Sequence, residues 1–265
     1  HNTCFYCSQC REFNIILFCV GTALALSEVF KQLFYYFALS NNSYCWGEFP
    51  FQLCSVPMYL CMLLPILKHD KIRQGALSFM VLYNLLGGAI AFAEPSGLLH
   101  GHLFLTIHSC VWHMLLVFVG LYLWLSGRAG CDKKDYRSAT VMFLMLCVVA
   151  FRINLIFWEA SAGDINMFFI GPKNSSIIVF STIAETFGWY VSTVLYIPCL
   201  CLGTYLILLP MRHFSSEDKK CAAVLNRSTF VLFAIDHFHL DGVGIAGLTV
   251  DRSAGENHIV TALDR

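Results

Sequence analysis

The chain has 265 residues, 57% of them hydrophobic and only 13% charged, with a formal net charge of zero. Soluble proteins carry about 25% charged residues, so water is not the main solvent of this chain, and its neutral charge gives no sign of a nucleic-acid partner. Thirteen cysteines suit a disulfide scaffold in a small secreted protein, but most of these lie inside apolar runs, where Cys behaves as a small hydrophobe.

A helix needs about 20 apolar residues to cross a bilayer. Six stretches qualify, near 14–39, 50–67, 75–93, 103–126, 139–158 and 186–209. They predict an all-α, polytopic transmembrane bundle with six spans at 14–210. It is preceded by a Cys-rich juxtamembrane segment at 1–13 and followed by a polar, largely disordered tail at 211–265. The chain opens on His1, which fits a fragment or a processed form with one more helix upstream.

In chain order, the run CFYCSQC carries Cys4, Cys7 and Cys10 just before the first span. Palmitoylation, a partial metal site lacking its fourth ligand and no role at all are the three readings. The loops NNSYCWGE, KHDKIRQG, EPSG and GRAGCDKKD then separate the spans; short connections make neighbouring helices antiparallel. The longer connection, about 159–185, contains GDINMFFIGPKNSSIIVF. Its apolar residues predict a segment lying at the interface or re-entering the bundle. The tail has one apolar run, TFVLFAI, too short to span, and the aperiodic GVGIAGLTVDRSAGENHIVTALDR reads as disorder or a gene-model error.

Arg11, Lys68, Lys71, Arg73, Arg128, Lys133, Lys134, Arg137, Arg212, Lys219 and Lys220 all fall on one side of this arrangement, and Lys173 falls on the other. The positive-inside rule makes the first side, with the C-terminus, cytosolic. The acceptor sequons at Asn41 and Asn174 then lie outside. The expected localisation is an integral, multi-pass membrane protein.

Charged groups at mid-bilayer cost about 2.5–3.5 kcal/mol on the insertion scale and need a partner, a wet cavity or a job. Glu28 and Lys31 share a helix face three residues apart, as a structural ion pair or as the lining of a polar cavity. Arg152 and Asn154 lie near the outer end of the fifth span, where Arg can snorkel and can match a phosphate bidentately. The fourth span carries His100, His102, His108 and His113 at spacings unlike the i, i+4 pair of helical metal ligands. Cys54 enters the second span at a depth similar to that of His108 in the fourth. A base beside a thiol is what a nucleophilic cysteine requires.

At these residues the sequence resembles the YwaF-type integral membrane proteins and the related animal group of transmembrane protein 164, over roughly residues 20–210. The resemblance rests on Pro50-Phe51-Gln52-Leu53-Cys54-Ser55, on Glu28 with Lys31, on Ile107-His108-Ser109, on Asn154 and on Trp189-Tyr190. The chain departs from the pattern at Gln52, where the group has His, at Ile165-Asn166-Met167-Phe168 and at Pro172-Lys173. Most YwaF-type members have no assigned activity. The animal group is regarded as phospholipid acyltransferases using a Cys and a His.

The resemblance therefore implies Cys54 as nucleophile and His108 as base, with an acyl group passing through a thioester from a glycerophospholipid to a lysophospholipid. From position, Asn154 is expected at the oxyanion, Arg152 at the phosphate, and Gln52 and Trp189 along the substrate. No cofactor and no metal are expected. Two rivals stand beside this reading: a transporter or channel with a polar pathway of Glu28, Lys31 and the histidines, and a metal-dependent lipid hydrolase with Glu94 as the carboxylate.

Overall fold

The protein is described by a computed structural model covering residues 8–129, 132–175 and 177–215. The side chains of Cys4, Cys7 and Cys10, and the tail from 216 onward, lie outside the described residues. Among the described residues seven α-helices make up the bundle: α1 (Ser8–Phe34), α2 (Val56–Leu63), α3 (Asp70–Ala93), α4 (Leu103–Leu125), α5 (Lys133–Ile156), α6 (Ile178–Phe187) and α7 (Trp189–Ser215). Among the described residues, five of them, α1, α3, α4, α5 and α7, are long and apolar enough to cross a membrane. A wider turn at Tyr35–Leu39 prolongs α1, and α7 continues through Pro198 and Pro210, as membrane helices tolerate.

The expected helical span at 50–67 is corrected here. Only the eight residues of α2 are helical, which rise about 12 Å against a hydrocarbon core of about 30 Å. Proline is the reason: Pro57 sits in the first turn of α2, where a missing N–H costs nothing. Pro65 follows its end, where a further helical bond would need that N–H.

The chain still traverses the bundle between α1 and α3. Lys31 Nζ lies 3.3 Å from Glu48 Oε2 at one end, and Arg73 Nη2 donates to Asn14 Oδ1 at 2.9 Å at the other. The second crossing is thus discontinuous: an irregular entry at 49–55, then α2, then a turn. It lies close to α1, because a Cβ on Gly21 would stand 2.8 Å from Met62 Cγ and 3.0 Å from the Met62 backbone nitrogen.

α3 is the central helix, packed against α4, α5 and α7. Every residue from Ala76 to Tyr83 is buried, as a helix apolar on all sides must be. Gln74 donates to Asp135 Oδ1 and the Arg128 guanidinium lies over the Phe13 ring. These contacts gather the start of α1, the start of α3, the end of α4 and the start of α5 at one end. We call it the basic end, for Arg11, Lys68, Lys71, Arg73, Arg128, Lys133, Lys134 and Arg137.

At the opposite end, the connection after α5 turns inward. Ile165, Met167, Phe168 and Ile170 are all buried. The Phe168 ring stacks between Phe51, at 5.8 Å, and Phe143 of α5, at 6.5 Å. The segment re-enters the bundle, and α6 and α7 then form a hairpin that turns at Gly188, whose φ of +91° suits only glycine.

Candidate functional site

On α1, Glu28, Lys31 and Gln32 project along one ridge. Glu28 Oε1 accepts from Lys31 Nζ at 3.1 Å and from Gln32 Nε2 at 2.8 Å, and Lys31 reaches on to Glu48. Glu28 is 5% exposed, so this network keeps its carboxylate satisfied inside the bundle. The pair forms as the i, i+3 spacing requires, and Glu48 and Gln32 extend it.

On α4, His108 and Trp112 are four residues apart and share a face. The His108 ring lies between Phe104 and Trp112, with centroids 6.3 and 5.7 Å away, and beside the Ser27 backbone of α1. Among the described residues its buried Nε2 has no hydrogen-bond partner of good geometry, and the Ser27 backbone is the main-chain polar group facing the ring. Trp112 Nε1 donates to the Cys54 carbonyl at 3.1 Å.

Cys54 sits in the irregular entry to the second crossing, where Ser55 N donates back to Gln52 O, and the residue is partly exposed. Thiol and imidazole are not hydrogen-bonded to each other. The two residues belong to one layer through Trp112, which stacks on the imidazole and donates to the Cys54 carbonyl, and Glu28 and Lys31 lie within electrostatic reach of both side chains.

The other histidines are engaged elsewhere. His100 pairs with Ser109 Oγ at 2.9 Å and with the Tyr35 hydroxyl, and His113 Nδ1 meets Ser109 O. Among the described residues no three His, Cys, Asp or Glu side chains converge as metal ligands.

Three amides hold the re-entrant segment. Gln52 Nε2 donates to Asn166 O at 3.1 Å while its Oε1 accepts from Phe168 N at 3.0 Å. Asn154, fully buried, donates to Met167 O at 3.0 Å and accepts from Met167 N at 2.6 Å. Asn166 itself accepts from Gly171 N and donates to Lys173 O. The clamp fixes Phe168 and Phe169 at φ of +58° and +57°, which costs roughly 1–2 kcal/mol per non-glycine residue.

Both Gln52 and Asn154 are therefore committed at both ends of their amides to main chain. A second tie lies nearer the surface. Asp164 accepts from Gly47 N at 2.8 Å and pairs with Lys173 at 2.7 Å, and the Lys173 hydrogen bond holds its carboxyl below the usual aspartate value.

Arg152 projects from a different flank of α5 than Asn154, two residues and about 200° away; it is exposed and makes no ion pair with Glu159 or any other described carboxylate. Trp189 is half-buried at the start of α7, edge-on to Tyr190. The structure thus brings Cys54, His108, Glu28 and Lys31 to one region and assigns Gln52 and Asn154 to the neighbouring wall. Arg152 stands apart. Trp112 and Glu48 were not singled out from sequence, and Asn166 only as part of the segment that departs from the family pattern; Trp112 carried a further signal, its i+4 spacing from His108.

Against known proteins, no curated protein and no solved structure matches the chain. A family model, that of the TMEM164 family, matches residues 7–234, which takes in every helix described above. The chain is a multi-pass membrane protein belonging to the TMEM164 family.

Proposed function

We propose that this protein is a bilayer-embedded acyltransferase that moves a fatty acyl group between glycerophospholipids, with Cys54 as nucleophile and His108 as base. The observation that carries this is the unpartnered, buried Nε2 of His108 in the layer that Trp112 shares with Cys54. A buried imidazole nitrogen with no hydrogen-bond partner among the described residues, in the layer that also holds Cys54, is free for a proton from that thiol or from an acceptor hydroxyl.

In the first half-reaction, His108 takes the Cys54 proton, the sulfur attacks an acyl-ester carbonyl, and the C–O bond to glycerol breaks. The departing lysophospholipid oxygen leaves with the proton from the imidazolium. In the second, a lysophospholipid hydroxyl attacks the thioester, its proton passes to His108, and the C–S bond breaks to regenerate the thiol. No water and no redox partner enters the balance.

Glu28, held by Lys31, is the group that favours an imidazolium on His108, while the Lys31 ammonium opposes it. Gln52 and Asn154 shape the wall by fixing the re-entrant segment. Half of the bundle away from the basic end houses all of these groups, so the reading places the reaction in the non-cytosolic leaflet.

The test uses purified protein in nanodiscs with a phospholipid labelled in its acyl chain and an unlabelled lysophospholipid. Cys54→Ser and His108→Ala should each lower acyl exchange by at least a hundredfold, and the wild type should accumulate a hydroxylamine-sensitive acyl-protein. Exchange at wild-type rates in both variants removes the assignment. Solute flux that persists in both but fails in Glu28→Gln would instead establish the carrier.

A further inference from the structure

We propose that a groove between α5 and α7 is a phospholipid-binding site in its own right, with Arg152 gripping the lipid phosphate and the apolar channel below it taking the start of one acyl chain. The groove encloses about 470 Å³. Its walls are Val148 and Phe151 of α5 and Thr193 and Ile197 of α7, and none of its lining comes from α1, α2 or α4. It is therefore a different place from the layer holding Cys54 and His108, and it rests on no step of the acyl-transfer reading.

Depth and charge choose the occupant. Arg152 lies four residues before the end of α5, and Thr193 lies four residues after the start of α7. Both stand about 6 Å inside the helix ends, a depth from which a long guanidinium side chain reaches up to the ester and phosphate groups of a leaflet. Deeper along α5 the lining continues to Cys147, about 8 Å further down, with apolar side chains facing across to Ile197. Polar at the mouth and apolar below is the profile of a diacyl lipid.

Arg152 is exposed on this lipid-facing flank and makes no ion pair among the described residues. A guanidinium there is favoured by an anion at the end of its snorkelling reach, and its planar fork matches two phosphate oxygens. A free anion in bulk water would leave the channel below it unfilled, whereas a phospholipid fills both parts.

The experiment is native mass spectrometry of the full chain released from detergent after titration with dioleoyl phosphatidylglycerol. The same number of lipids should be retained by the wild type and by Cys54→Ser. Arg152→Gln should weaken retention about tenfold or more, the scale of a charge-assisted hydrogen bond, with Arg152→Lys in between. Ile197→Trp should displace the lipid while leaving the thermal unfolding midpoint in place, and dioleoylglycerol, which lacks the phosphate, should bind the wild type as poorly as phosphatidylglycerol binds Arg152→Gln. Equal retention in Arg152→Gln, or equal binding of dioleoylglycerol, overturns the phosphate grip. Competition by millimolar inorganic phosphate overturns the lipid as occupant, and loss of the lipid in Cys54→Ser overturns the separateness of the site.

Discussion

Replacing Asn154 with Leu offers the sharpest test of how the region around Cys54 is built. The side chain has no exposure, and both of its polar ends are spent on the Met167 peptide groups. Leucine keeps the branched heavy-atom skeleton, though its methyl groups are bulkier than the amide, and it leaves a buried N–H and a buried C=O bare. At roughly 1–3 kcal/mol for each unsatisfied group, the variant should lose about 2–6 kcal/mol. That is a large part of a typical folding stability of about 5–15 kcal/mol.

The loss should also be local, because the clamp opposes the left-handed backbone at Phe168 and Phe169. Chemical unfolding in detergent, followed by tryptophan fluorescence, gives the global figure, and limited proteolysis between residues 157 and 177 gives the local one. Asn154→Asp supplies the control: its neutral acid donates and accepts as the amide does, whereas its carboxylate only accepts. Its deficit should therefore shrink as pH falls. A leucine variant within about 0.5 kcal/mol of wild type, with no new cleavage, would refute the view that this amide holds the segment.

Other perturbations probe the neighbouring contacts. Gly21→Leu drives a side chain into Met62 and Cys61; overpacking of this kind costs about 1–3 kcal/mol, read as a lowered thermal midpoint, and an unchanged midpoint would mean α1 and α2 are not in close contact. Trp112→Phe keeps an aromatic face on His108 but deletes the donor to the Cys54 carbonyl; acyl exchange should drop about tenfold with stability down by about 1 kcal/mol, and full activity would show that the entry turn needs no such tether. For Asp164 the folded carboxyl is depressed by Lys173, so its contribution is present above the unfolded value near 3.8 and fades as pH falls through the lower folded value. Since both partners are nearly half exposed, the effect is below about 1 kcal/mol. Asp164→Asn should flatten the stability profile in that acid window, and an unaltered slope would place the titration elsewhere.

Much of this architecture was legible in the sequence. The five long helices follow from apolar length alone, and the re-entrant turn was foreshadowed by apolar residues, Met167 to Ile170, in a connection too long for a simple loop. The ion pair of Glu28 and Lys31 was readable because helical spacing is a local rule. The second crossing misled, since hydropathy counts apolar side chains and is blind to Pro57 and Pro65 acting as boundaries.

Gln52 and Asn154 were legible as special but not as clamps. Their partners lie 114 and 13 residues away in sequence, and no periodicity links an amide to a distant peptide group. Trp112 hid for another reason: a tryptophan in an apolar helix is ordinary until its indole nitrogen is seen to reach the main chain of a different crossing.

The short helix in the second crossing also bears on biosynthesis. A translocon releases segments into lipid one by one when each can satisfy its own peptide groups, and eight helical residues flanked by open backbone cannot do so. The nascent chain must therefore keep residues 49–67 sheltered until α1 and α3 are both present to enclose them. Membrane integration is therefore expected to be cooperative at that point, with the turn that carries Cys54 taking its shape late.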